Sequence, residues 1–234
     1  MTEHADELKI KLAKAGRILA AQGQGEWTRG HLSLRCPQDP HLFWMKPKRV
    51  GLEEMTPDSL ITVNLDGEKV EGENPRHGEV FIHSEILRAR PDVNAVIHVH
   101  PLHAIVFSSL GKPFVAVGLP GAVFEEGLPI FNETTQLITT PERGAAVARS
   151  LGSCRAVILQ NHGVVTVGAS IEEAIYYAMA LESACQMQVL AEAAGGPKAV
   201  GSPGETRALR EYMLREGMFR TTFNYLDRAA SKLK

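Results

Sequence analysis

The chain has 234 residues, of which 44% are hydrophobic and 22% charged, with a formal net charge of −2. That length suffices to bury a sizeable core in one large domain or two small ones, and the even charge balance argues against a nucleic-acid coat or a polybasic membrane anchor. Cys36, Cys154 and Cys185 have no C-x-x-C spacing and cannot form a disulfide framework, which predicts a reducing compartment.

The opening MTEHADELKI is charged and has no apolar h-region, so a secretory signal is not expected and a cytoplasmic location is. Residues 6–22 place Leu8, Leu12, Ile18 and Leu19 near helical spacing and predict an amphipathic helix ending near Gly23. Two strands follow, 32–35 and 41–45, joined by the turn-like CPQDP. Thr56-Pro57-Asp58 reads as the start of a short helix. Asp66-Gly67 reads as the two-residue turn of a hairpin.

Residues 79–90 predict a helix that stops before Pro91, and 95–100 (AVIHVH) an apolar strand. A helix is expected over 102–110 and a strand over 114–119 (FVAVGL). The stretch Ile105–Phe124 is the least charged, but Lys112, Pro113, Pro120 and three glycines make it a poor membrane span. Residues 143–152 read as a helix closed by Gly152, and 155–160 and 163–168 as buried strands. The longest helix is expected over 170–196, with Ser170 and Glu173 as a capping box and Gly195-Gly196 as its stop. A Gly/Pro loop over 195–205 then leads to a last helix at about 206–217. There is no internal repeat, no phosphate-loop motif and no dinucleotide fingerprint in the right context. A single α/β layered domain is the most economical reading.

Nine histidines are in excess, and their placement is informative. His98 and His100 lie at i and i+2 of a strand, so their side chains share a face roughly 6–7 Å apart. Pro101 ends that strand at the second His. His162 also follows a buried apolar strand, and Glu79 lies upstream at a helix start. Three imidazoles and a carboxylate make a set suited to Zn²⁺ or a similar divalent ion. His83 stands one helical turn after Glu79, either orienting it or satisfied as a helix His. His103 reads as structural, and His4 and His41 as exposed. Tyr176, Tyr177, Met179, Met187 and Leu190 on the longest helix read as core or subunit packing.

Glu79, the H-V-H of 98–100 and the Q-N-H-G of 160–163 resemble the class II aldolase/adducin family. His98 follows Glu79 by 19 residues, which matches the family's spacing, and the run R-A-R-P-D-V-N-A-V-I-H-V-H-P resembles its most recognisable segment. The resemblance covers residues 8–192. It implies one α/β/α layered domain, here 1–234, around a central and mainly antiparallel sheet, with a C-terminal helical tail from about 197. It implies a homotetramer with active sites between subunits. It also implies one divalent ion, Zn or Mn, held by His98, His100 and His162. Glu79 is implied as the acid/base and as an occasional extra ligand.

The chain departs from the sugar-phosphate members at the loops that grip phosphate. Where the family has a small Asn-containing loop, this chain has Gly25-Glu26-Trp27-Thr28-Arg29-Gly30-His31, with His31 at the Asn position. Arg49, in the run Lys46-Pro47-Lys48-Arg49, stands where a Gly is expected, although a two-residue shift would bring Gly51 there. His77-Gly78 replaces a Ser-Ser pair. The replacements suit a carboxylate: Arg29, Lys46, Lys48 and Arg49 as cations, with Trp27, Phe43 and Trp44 as apolar walls. The tyrosine that serves some members as proton donor is missing, since counting from His100 reaches Leu119.

The expectation is therefore a metal-dependent carbon–carbon lyase. Its substrate would be a non-phosphorylated hydroxy-aromatic or hydroxypyridine mono- or dicarboxylate, decarboxylated through a metal-stabilised enolate, with Glu79, His77 and His31 as candidate proton donors. The alternative is an aldolase or epimerase acting on a small sugar phosphate. A non-enzymatic binding role, as in the adducin branch, is disfavoured because Glu79 and all three metal histidines are present. Arg220 and Tyr225 in the tail are candidates to complete a neighbour's site.

Overall fold

Helix α1 (Thr2–Ala21) opens the chain in the computed structural model, which describes residues 2–232. Strands β1 (His31–Cys36) and β2 (Asp39–Met45) form a hairpin, and a 3-10 turn at Pro57–Ser59 follows, capped by the Thr56 side chain. A second hairpin joins β3 (Ile61–Asn64) to β4 (Lys69–Glu71). Next come α2 (Val80–Ala89), β5 (Ala95–Val99), α3 (Leu102–Ser109) and the short α4 (Gly118–Ala122). The chain continues through β6 (Ile130–Phe131), α5 (Pro141–Leu151), β7 (Ala156–Leu159), β8 (Gly163–Gly168) and α6 (Ile171–Ala193). Helices α7 (Pro203–Met213) and α8 (Met218–Ala230) close it.

The strands make one sheet in the order β4-β3-β2-β1-β5-β8-β7-β6. Every neighbouring pair is antiparallel except β6–β7. Side chains alternate across it, so each face has its own core. Leu32 and Leu34 of β1 and Ala95, Ile97 and Val99 of β5 pack with residues of α1, α3, α6 and α8. Val96 of β5 and Val165 and Val167 of β8 pack on the other face with residues of α2 and α5. The fold is thus an α/β/α layered structure around a mixed, mainly antiparallel sheet. The same alternation puts His31 and Ser33 of β1 and His98 of β5 on the α2 face, where they form a buried polar row.

Three expectations need correction. Residues 114–119 form no strand. The buried amide of Gln188 takes the Val115 N–H at 2.9 Å and gives its own N–H to the Pro113 carbonyl at 2.8 Å, supplying the partners a sheet would supply. Gly118, at φ 67, then turns the chain into α4. The tail holds two helices rather than one, because Gly217 adopts a left-handed φ of 83 and restarts the chain as α8. Lys14 pairs with Asp227 at 2.7 Å, and Phe219 packs on Tyr176 of α6. At α6, Ser170 caps the Glu173 N–H as expected, but Glu173 accepts from the Ala169 N–H rather than from Ser170. The parallel strand β6 has only two residues, too few to leave a pattern in the sequence.

Candidate metal centre and active-site cleft

Three segments deliver the histidines to one end of the sheet. β5 carries His98, the residue just past it carries His100, and the β7–β8 turn carries His162. Asn161 takes a left-handed φ of 58, which Asn tolerates better than most residues, and so turns His162 inward. One ligand nitrogen from each of His98, His100 and His162 falls within a sphere where all lie within 4.8 Å of one another. Gly163 permits this approach. A Cβ there would stand 2.6 Å from the His100 ring and 2.6 Å from the Val99 carbonyl.

The proton positions fit a cation. His98 is fully buried, and its Nδ1–H donates to the Val164 carbonyl at 3.0 Å, which leaves Nε2 with a lone pair. His100 Nε2 faces it at 3.1 Å, while His100 Nδ1 lies 3.1 Å from Glu26 Oε2, off-line for a hydrogen bond. Burial, then the neighbouring histidines, hold His98 well below the ordinary histidine range, and burial with His162 lowers His100. The His98 Nε2 lone pair, with a His100 ring nitrogen 3.1 Å away, favours a positive ion at this point. The residues present therefore fit a divalent metal.

Glu79 stands at the N-terminal end of α2. Its Oε1 accepts the Ile138 N–H at 3.0 Å and lies 3.6 Å from His162 Nε2, and its Oε2 lies 3.8 Å from His98 Nε2. One oxygen is anchored by backbone and the other faces the metal set, an arrangement suited to carrying a proton.

The centre opens into a cleft of about 790 Å³. Arg29, Lys48, His31 and His77 line it, and so do the apolar Leu102, Ile105 and Leu137. Arg29 is held by Glu26 at 2.9 Å. Glu26 thus stands between a cation of the cleft wall and His100. It is a residue that sequence reasoning did not single out, because nothing in its local pattern announces a partner 74 positions away.

The remaining expected substrate residues lie elsewhere. Lys46 is buried, and its ammonium donates to the Thr28 carbonyl at 3.0 Å and the Pro47 carbonyl at 3.3 Å. Burial pushes its pKa down to about 8. It braces the wall from behind, 3.3 Å from His77 Nε2, instead of reaching into the cleft. Arg49 is exposed and does not line the cleft, and Gly51 gives its N–H to Glu54. Trp44 and Phe43 are core residues. Trp27 is 76% exposed with the Arg29 guanidinium over its ring, on the rim of a neighbouring hollow. Tyr225 and Arg220 are exposed on α8, away from this chain's cleft. His103 binds Glu182 at 2.7 Å, which also caps α3.

Behind the cleft, His83 Nε2 meets His31 Nδ1 at 2.6 Å and His83 Nδ1 meets Ser33 Oγ at 2.7 Å. Burial is the chief cause that lowers His77 to about 4, His83 to about 3 and His31 well below its ordinary value.

The sequence matches the Class II Aldolase and Adducin N-terminal domain over residues 10–189. The chain belongs to the class II aldolase/adducin family. With its three-histidine set and Glu79 in place, it is one of the family's enzymes. Decarboxylase NovR of Streptomyces niveus is 34% identical over 210 residues, covering 88% of this chain and 77% of that protein. The 3,4-dihydroxyphthalate decarboxylase of Arthrobacter keyseri is 29% identical and covers 79% of each. The structure of L-fuculose 1-phosphate aldolase from Glaciozyma antarctica PI12 superposes with a TM-score of 0.88 at 30% identity, covering 98% of this chain and 90% of that one. The family generally binds a divalent metal, and among the described residues no helix is long and apolar enough to cross a membrane.

Proposed function

We propose that the protein is a cytoplasmic, divalent-metal-dependent decarboxylase. Its substrate is a non-phosphorylated hydroxy-aromatic or hydroxypyridine carboxylate. The observation that carries this reading is the composition of the cleft wall. Arg29, Lys48 and two neutral imidazoles stand where a phosphate grip would use small hydroxyls, and Leu102, Ile105 and Leu137 offer an apolar face to a ring. Relatives named as decarboxylases support it.

His98, His100 and His162 would hold the ion, Zn or Mn, which supplies Lewis-acid polarisation of the substrate's oxygens. Glu79 takes the proton of the ring hydroxyl and returns it to the ring carbon that bears the carboxylate. The bond from that carbon to the carboxylate then breaks, its electron pair stays on the ring, and CO₂ leaves. Arg29 and Lys48 pair with substrate carboxylate, the second one where the substrate is a dicarboxylate, and orient the ring. Leu102 and Leu137 are exposed at the cleft, an apolar seat that suits a homotetramer with sites at subunit interfaces.

The test is CO₂ release by metal-loaded protein over a panel of hydroxybenzoates, dihydroxyphthalates and hydroxypyridine carboxylates. Release from at least one is expected. Cleavage of a ketose phosphate with no CO₂ from any of them overturns the reading in favour of the aldolase alternative, which the resemblance to an L-fuculose 1-phosphate aldolase supports.

A further inference from the structure

We propose that Ser33 and His83 lock His31 in the tautomer that presents an N–H to the cleft, making His31 a hydrogen-bond donor to an anionic oxygen of the substrate. The proposal rests on the reading that the cleft receives a carboxylate.

The lock begins at Ser33. Its hydroxyl is fully buried, and among the described residues its only hydrogen-bond partner is His83 Nδ1, at 2.7 Å. A buried hydroxyl has one proton to place, so Ser33 donates it to Nδ1. The reverse polarity leaves that proton with no acceptor in a site closed to water. With Nδ1 accepting, the His83 proton sits on Nε2, and it faces His31 Nδ1 at 2.6 Å. His31 Nδ1 accepts it. The remaining His31 proton is then on Nε2, which has no hydrogen-bond partner among the described residues; His31 lines the cleft, with ligand atoms of Glu79 and His98 within 4.8 Å of one of its nitrogens.

Position makes this donor useful. His31 pairs in register with His98 across β1 and β5, and its ring lies tilted against that of His77, centroids 4.5 Å apart. A substrate oxygen held at the metal histidines thus meets an N–H fixed in direction by two packed elements, β1 and α2. A fixed donor needs no reorganisation when negative charge gathers on that oxygen. It also excludes His31 as a general base, because its cleft-facing nitrogen has no lone pair. That work is left to Glu79. Ser33 and His83 are positioning residues, acting only through His31.

The test uses Zn²⁺-loaded, histidine-¹⁵N-labelled protein, with long-range ¹H–¹⁵N correlation spectra of the imidazoles, and calorimetric titration with salicylate. The wild type is expected to carry protons on Nε2 of both His31 and His83. Ser33→Ala is expected to keep its zinc, to mix the two tautomers at His83 and His31, and to weaken salicylate binding by about tenfold, roughly one net hydrogen bond. A wild-type His31 protonated on Nδ1 overturns the proposal. So does a Ser33→Ala protein with unchanged tautomers, or with changed tautomers and unchanged affinity, and so does a wild type that binds no salicylate. The expected tautomers and affinity without CO₂ release from any carboxylate support this proposal and overturn the decarboxylase reading instead.

Discussion

His31 and His98 stand opposite one another in the β1–β5 ladder, their ring centroids 4.9 Å apart. One lines the cleft and the other belongs to the three-histidine group, yet both are held neutral chiefly by burial. Two adjacent imidazoles therefore divide the work of the site by what holds their other nitrogen: His83 for one and a main-chain carbonyl for the other.

Removing a ligand should remove the metal. His98→Ala is expected to lower metal affinity by more than about a hundredfold, since even losing a group that only orients a ligand costs roughly 10–100-fold. Metal analysis after dialysis checks this. Full occupancy would sink the assignment of the three-histidine set.

Glu79→Gln separates chemistry from folding. The amide oxygen still accepts the Ile138 N–H, so the melting temperature should hold within a few degrees. The side chain no longer carries a proton, and kcat should fall by roughly 10²–10⁴. Activity that survives the change points to another acid/base.

Gly163→Ala tests the close approach of the turn to the metal set. The added carbon would press on the Val99 carbonyl and push the His100 ring, at 2.6 Å from each. We expect a loss of about 1–3 kcal/mol in stability from overpacking, with a fall in metal affinity beside it. Metal affinity equal to wild type would show that His100 tolerates displacement.

Acid should unfold the metal-free protein early. His77 and His83 have folded pKa values near 4 and 3, below the ordinary histidine value of 6.5. Between those values the unfolded chain binds more protons, so stability rises with pH. This contribution is fully present above about pH 6.5 and is lost as pH falls toward 4 and then 3. Thermal melts from pH 7 to pH 4 should show a steep decline, and a flat profile would contradict the neutral buried cluster.

Gln188→Ala should be costly at a site far from the chemistry. It deprives the Val115 N–H and the Pro113 carbonyl of their partners, at roughly 1–3 kcal/mol for each group left unsatisfied. Denaturant melts measure this directly.

Much of the layered fold was legible because its period is local. β5, β7 and β8 are short β-branched runs, and α6 announces its cap at Ser170. The apolar 114–119 run misled because the partner that replaces a sheet ladder is one side chain, Gln188, more than seventy positions away. The site followed the same division. His98 and His100 share a strand face by simple alternation, and the family spacing pointed to Glu79. Glu26 beside His100 and the Ser33–His83–His31 row depend on contacts between separate elements, which no local spacing records. Lys46 misled differently. Its charge suggested a substrate contact, whereas the carbonyls of Thr28 and Pro47 satisfy it inside the wall.

The group that sets the His98 ring is a peptide carbonyl, that of Val164. No side-chain replacement on β8 can delete it, and only a slip of the β5–β8 register would move it. The cleft wall, in contrast, is built from replaceable side chains on loops and helices. Residues such as Arg29, Lys48 or Leu137 can therefore be exchanged to alter what the cleft admits while the backbone keeps His98 aimed as before.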